Sequence, residues 1–453
     1  MRGGRSLLVL VVLALGLGAY IYFVESKRDP TATEVRDRVF TVETSAIEEV
    51  TLQSAAGQTT TLRKTGTEWQ IVAPVVAPAD SGVMESLLSS LSTLEIQRVV
   101  EDAPGSLAPY GLEPPRFGLA FRTTGSSTPQ RVHFGNKTPT GSDLYARIEG
   151  QPRLFVVAGY LEDTFNRDTF AFRDKEALKF ASDAVDAITI ERPGSPTLTF
   201  LKRDDTWRLT APVDARADFG SVDGIVRAVD QAQMQAIVAG ESGEPPPAEL
   251  RKLGLDRPQA LVTLGAGSAR ASLALGAAQA DGAVYARDLS RPLVFTVASS
   301  LLDELKKTPD DLRQKDVFVF RAYSATGLDV THGGRTWSFL KETTAATDTT
   351  PSSDTWKKTA PEAGDVNQTA MTDWLNSLST LRAESFTAKA PASGDDLVVV
   401  ARSGAAGAGE RVTLRKAGSA AYAIRPDEPG AAVVPIADLD RVLSQFKELT
   451  GTK

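Results

Sequence analysis

The residues of this chain with the most chemical promise come in sets that recur. Asp80 and Asp218 each end an Ala-Asp pair shortly after an Ala-Pro strand end, where a carboxylate could act as a general acid or base. Tyr145 and Arg147 return as Tyr285 and Arg287. Residues two apart on a strand share a face, and an Arg beside a Tyr can grip a carboxylate, a phosphate or a sugar. The chain has two histidines, His133 and His332, far apart and unrepeated, so a Ser-His-Asp triad has no supporting pattern. Gly-x-x-x-x-Gly-Lys-Ser/Thr, Gly-x-Ser-x-Gly and His-Glu-x-x-His are all absent, and Gly135-Asn136-Lys137-Thr138 lacks the earlier glycine of a phosphate loop. Asp310-Asp311 and Asp395-Asp396 lack calcium-loop spacing and read as solvated turns, and Pro245-Pro246-Pro247 reads as loop. With no cysteine, disulfides, thiolate metal sites, thiol nucleophiles and a lipoprotein anchor are excluded. The expectation is no catalytic residue, no metal and no cofactor.

The elements that hold these residues are one unit written three times. Trp69, Trp207 and Trp356 each stand five residues before the proline of an Ala-Pro pair, at separations of 138 and 149. Leu62-Arg63-Lys64 is answered by Leu201-Lys202 and by Leu340-Lys341. Lys64 and Lys202 lie five residues before their Trp and Lys341 fifteen, so the extra residues fall within 342–355, which reads as a lengthened hairpin loop of low closure cost. Alternation in Ile188-Thr189-Ile190, Leu198-Thr199-Phe200-Leu201 and Trp207-Arg208-Leu209 predicts half-buried strands. Val83, Leu87, Leu88, Leu91 and Leu94 then form a helical stripe, matched by Val222, Ile225, Val226 and Val229 and by Ala370, Trp374, Leu378 and Leu381. Further short strands and a short terminal helix complete a unit. The fold class that follows is α+β, each repeat an antiparallel sheet with one or two packed helices, at about 38–175, 176–316 and, more divergent, 317–450.

The third repeat tests the chemistry. Eleven residues beyond Trp69 and Trp207 stand Asp80 and Asp218, but eleven beyond Trp356 stands Asn367. Asn has no proton to exchange, whereas a helix N-cap takes Asp or Asn nearly equally, so these three residues read as structural caps. The third repeat has Tyr422 with Ile424 where Arg would stand, so a ligand role for Tyr145, Arg147, Tyr285 and Arg287 would belong to two units at most. The bland reading is an Arg stem packed along a Tyr. Trp69, Trp207 and Trp356 read as core anchors.

Length and charge agree with a large folded body. The 453 residues suit about three domains. The net charge is -7, and without residues 1–29 the balance is 46 bases against 55 acids, which argues against nucleic acid as a partner. Arg2 and Arg5 precede an apolar run from Leu7 to Val24, 18 residues or about 27 Å as a helix, with Tyr20, Tyr22 and Phe23 at its far end. Residues 1–29 are expected to be a cytoplasmic start and an uncleaved single-pass anchor, with the bulk of the chain periplasmic.

The apolar start, the Trp-x-Ile/Leu-x-x-Pro strand with its Ala-Asp pair, Tyr110-Gly111-Leu112-Glu113-Pro114-Pro115, the turn from Gly135 to Gly141, Tyr145-Ala146-Arg147 and Phe172-Arg173-Asp174-Lys175 together resemble the family of domain of unknown function 4340. The resemblance covers the first two repeats well and the third loosely, which has no Tyr-Gly-Leu-x-x-Pro segment. It implies a bacterial inner-membrane envelope protein, often encoded near ABC transporters of the gliding-type auxiliary class, and it brings no catalytic residues. The expected function is a non-enzymatic extracytoplasmic scaffold for ABC-transporter subunits. A module for cell-wall glycan or another envelope polymer is the alternative, and an envelope hydrolase using His133 or His332 the third.

Overall fold

The computed structural model describes residues 37–344, 353–404 and 409–451. The expected anchor, residues 7–24, lies outside them. Among the described residues no helix is long and apolar enough to cross a membrane. The chain divides into two compact units, the first ending at Lys175 and the second starting at Glu176.

The first unit holds one repeat. Its strands are β1 (Ile47–Gln53), β2 (Thr59–Thr65), β3 (Glu68–Ala73), β4 (Ala77–Pro78), β5 (Arg98–Glu101), β6 (Phe117–Thr123), β7 (Gln130–Lys137), β8 (Asp143–Ile148) and β9 (Leu154–Ala158), with helix α1 (Ser81–Ser92) between β4 and β5 and helix α2 (Glu162–Phe165) after β9. They pair antiparallel in the order β4-β3-β2-β1-β6-β7-β8-β9-β5, so α1 carries the chain from one edge of the sheet to the other. Alternation explains the faces. Val50 and Leu52 of β1, Leu119 and Phe121 of β6, and Leu144 and Ala146 of β8 are buried under the helices, while Glu49, Thr51, Ala120, Tyr145 and Arg147 take the other face. Leu87, Leu88 and Leu91 of α1 meet Phe117, Phe121 and Phe134 in a single core, where Phe134 stacks on Phe117 at 4.9 Å and on Phe165 at 5.5 Å. Each such ring removed from water contributes about 1.5–3 kcal/mol.

The second unit holds two more sheets, spanning 187–298 and 325–434, and each repeats the strand order of the first, strand for strand. Their crossing helices are Phe219–Asp230 and Gln368–Ser379, each 12 residues long like α1. The predicted stripes are buried, with two shifts: Met84 rather than Val83 is buried in the first core, and Met371 rather than Ala370 faces the third.

Several local expectations need correction. The insertion at 342–355 is not all loop. Glu342, Thr343 and Thr344 pair with Thr355, Asp354 and Ser353, extending the hairpin ladder, and only 345–352 lie outside the described residues. The Thr-rich sequence suits strand at these positions. The third repeat's terminal helix, Ile436–Thr450, has 15 residues rather than a short turn or two. Its Phe446 packs against Trp337 at 5.2 Å and Trp374 at 5.5 Å, and Trp374 Nε1 donates to Val442 O at 3.1 Å. Pro247 opens a helix, Pro247–Lys252, and Pro309 opens Pro309–Leu312, where Thr308 and Asp311 form a capping box. Proline is well placed at a first helical position, which lacks an N–H acceptor in any case. Asp395 and Asp396 open the strand Asp395–Ser403, where Asp395 is hydrogen-bonded with His332 and Asp396 is ion-paired to Arg415.

Within the second unit no slack separates its two repeats. Arg313 bridges to Ala217 and Asp316 bridges to Arg382. Between them Gln314 N–H donates to Arg216 O at 3.0 Å, and Lys315 O accepts from Ala383 N–H at 2.8 Å. The chain therefore leaves one sheet's framework as it enters the next.

Candidate functional site

The recurrent aspartates are built into helix starts. Asp80 Oδ1 accepts from Val83 N–H at 2.8 Å and Asp218 Oδ1 from Ser221 N–H at 2.8 Å. Asn367 Oδ1 accepts from Thr369 N–H at 3.0 Å and Ala370 N–H at 3.1 Å. The backbone N–H groups of Asp80 and Asp218 also hold the ends of their repeats, donating to Phe172 O and Leu312 O at 2.9 Å. One residue type thus satisfies the orphan donors of a helix and pins a chain segment beside it.

The tryptophans differ in depth. Trp207 and Trp356 are 4% and 6% exposed, but Trp69 is only partly buried at the edge of its core. The first helical residue near them also differs among the repeats. Lys202 Nζ lies 5.9 Å from both the Trp207 and Phe219 ring centroids. At the same position Gln368 exchanges hydrogen bonds with the Trp356 backbone at 2.8 and 2.9 Å. Ser81 occupies that place in the first repeat.

The Tyr-x-Arg pairs lie on the sheet faces away from the helices, in different units. Tyr145 meets Tyr110 edge-on at 4.9 Å, and Arg147 stands across the ladder from His133. Arg147 makes no ion pair or hydrogen bond among the described residues. In the second repeat Arg287 is 14% exposed and committed, pairing with Glu244 at 2.6 Å and donating to Arg291 O at 3.4 Å. In the third, Ile424 stands beside Thr413.

A close approach explains the Tyr-Gly-Leu segment. A Cβ at Gly135 would lie 2.1 Å from Tyr110 O, and one at Gly276 would lie 2.3 Å from Leu253 O. Leu253-Gly254-Leu255 is therefore the second repeat's counterpart of Tyr110-Gly111-Leu112, with Gly254 and Gly111 at φ 69° and 68°. The third repeat has no such loop, and Arg415 fills the space, held by Asp396 at 2.6 Å and by Pro391 O.

The histidines stay apart from any hydroxyl nucleophile. His332 Nε2 lies 3.0 Å from Asp395 Oδ1 and His133 Nε2 lies 3.6 Å from Glu149 Oε1, and among the described residues no serine hydroxyl bonds to either ring. Among the described residues no three His, Asp or Glu side chains form a metal-holding group.

The densest polar constellation sits between the two repeats of the second unit. Glu428 receives Arg216 Nε at 2.5 Å on one oxygen and Arg313 Nη2 at 3.0 Å on the other. The Arg313 guanidinium lies 3.6 Å from the centroid of the Phe386 ring. Arg425 donates to Val317 O at 3.1 Å and pairs with Glu410 and Asp427, while Arg208 reaches Asp427 O at 2.8 Å. Burial opposes the charge on Arg425, yet its bonds to Glu410 and Asp427 outweigh that and raise its pKa. Burial likewise works against the Asp427 carboxylate, but Arg425 holds it below the ordinary range. Sequence reading gave these residues no role: Arg313 recurs only as Arg173 of the first repeat, and Arg216, Arg425 and Glu428 lack counterparts. The signal was there in the mismatch: Pro78 and Asp365 replace Arg216, and Ile148 and Asp288 replace Arg425, at equivalent positions.

A family model described as Domain of unknown function (DUF4340) matches residues 69–206 and 207–397. The chain belongs to this family. The two DUF4340 matches begin at Trp69 and Trp207, so each starts on a recurrent tryptophan and the second runs on into the third sheet. No curated protein and no solved structure matches the chain.

Proposed function

We propose that this DUF4340 protein is a non-enzymatic envelope scaffold of a bacterial inner membrane. The run 7–24 serves as its single-pass anchor, and the three repeats on the periplasmic side present surfaces to subunits of an ABC-transporter-type complex. The observation that carries this reading is the threefold recurrence of one nine-strand order, with the same capping device in each repeat and a bonded connector between the last two. Each repeat so built presents a framed sheet surface, as the units of repeat architectures do when they bind partners. A second reading, binding of an anionic envelope polymer, draws on Arg147, whose guanidinium is uncommitted among the described residues beside Tyr145.

The test is crosslinking and affinity purification from native membranes, comparing the full chain with a variant lacking residues 1–29. Transporter subunits recovered with the full chain alone support the scaffold. Recovery of envelope polymer with both forms, and no membrane protein, overturns it in favour of the second reading.

A further inference from the structure

We infer that the junction between the second and third repeats is a binding site for one small monovalent anion of chloride size. A cavity of about 20 Å³ lies there, lined among others by Arg216, Arg313, Lys315, Arg425, Asp316 and Glu428. A single water-sized occupant needs roughly 10–15 Å³, so the space takes a small species.

The donors are already fixed. Arg216 Nη1 and Arg313 Nε are buried N–H groups without a partner among the described residues. Their neighbours are spent: Arg216 uses Nε on Glu428 and Nη2 on Asp316 O at 3.1 Å, and Arg313 uses Nη2 on Glu428 while its plane rests on Phe386. A guanidinium is planar, so with these contacts held the free N–H cannot turn away to another acceptor. The Arg313 side chain is 7% exposed and that of Arg216 17%, which keeps bulk water from satisfying them.

The occupant must be an acceptor, because a guanidinium only donates. Charge then selects an anion over water. The lining carries four cationic side chains against the carboxylates of Asp316 and Glu428; Glu410 and Asp427 answer Arg425, Arg321 and Arg382 answer Asp316, so cations stay in excess, and both Glu428 oxygens already accept from arginines. The cavity wall also includes Val317, Ala423 and Gly430 of the third repeat, so the ion lies where the two repeats meet and fastens one to the other.

Two measurements on the full chain test this. Crystals grown in sodium bromide should show one anomalous peak within hydrogen-bond distance of Arg216 Nη1 and Arg313 Nε. In solution, replacing gluconate by chloride at constant ionic strength should raise the unfolding midpoint saturably, as mass action requires of a ligand that binds the folded state. Arg216→Gln should lose that saturable rise. A water in the cavity with no bromide peak overturns the site. A bromide peak with no chloride-specific rise in solution also overturns it, marking an adventitious ion only.

Discussion

The helix starts and the outer sheet faces of the three repeats have diverged in different ways. At the starts, Asp80, Asp218 and Asn367 differ in chemistry yet make the same bond to the first turn. On the outer faces, the position of Arg147 holds an uncommitted cation in the first repeat, an ion-paired Arg287 in the second and Ile424 in the third. Physical roles are kept where the framework needs them and are released where it does not. A ligand grip would have to be local to one repeat, whereas the framework is common to all three, and this difference favours the scaffold reading.

The comparison can be broken at its framework side first. Trp374 is fully buried against Phe446, so Trp374→Ala should cost about 3–5 kcal/mol. Urea unfolding followed by tryptophan fluorescence reads this, and a near-silent variant would mean the third core is not packed as described. Next in size, Glu428→Gln leaves Arg216 and Arg313 buried beside a neutral partner and should cost on the order of 3 kcal/mol. Limited proteolysis should then cut near Lys315, while Glu149→Gln, at a half-exposed pair on the outer face, leaves the digest unchanged.

Smaller effects sharpen the contrast. Gly135→Ala and Gly276→Ala force a methyl group onto a carbonyl and should lower the melting midpoint by an amount equivalent to about 1–3 kcal/mol each. Asp80→Ala, Asp218→Ala and Asn367→Ala should each cost about 1 kcal/mol, but Asp80→Asn and Asp218→Asn only a few tenths. A large loss from either Asn variant would show that the carboxylate does something a cap does not. Acid gives the mildest test. Burial acts against the Glu162 carboxylate, but Arg116 and Lys137 hold its pKa below the ordinary range, as Arg425 does for Asp427. A folded pKa below the unfolded value gives stability that is full above the unfolded pKa, about 4, and is lost as pH falls through the folded one. The melting midpoint should therefore be flat from pH 8 to 5 and drop only below about 4.

Much of this architecture was legible because it is periodic. Repetition around Trp69, Trp207 and Trp356 located the repeats, and the Asp-to-Asn exchange at 367 pointed to the caps at all three helix starts. What escaped was non-repeated or long-range. Arg216, Arg313 and Glu428 are separated by 97 to 212 positions and share no pattern, so only tertiary pairing brings them together. That Trp69 is less buried than Trp207 and Trp356 left no mark in the pattern around it, which all three share. Arg415 replacing a glycine could be seen only once strand register placed it opposite Tyr422.

The most direct test sets framework against outer face in the cell. Partner recovery from native membranes would be measured for Glu428→Gln and for the double variant Tyr145→Ala and Arg147→Ala, with equal amounts of each protein confirmed. The scaffold account predicts that the junction variant loses its membrane partners and the outer-face variant keeps them. The reverse result, loss with the outer-face variant alone, would contradict it and place the function in the Tyr145 and Arg147 surface.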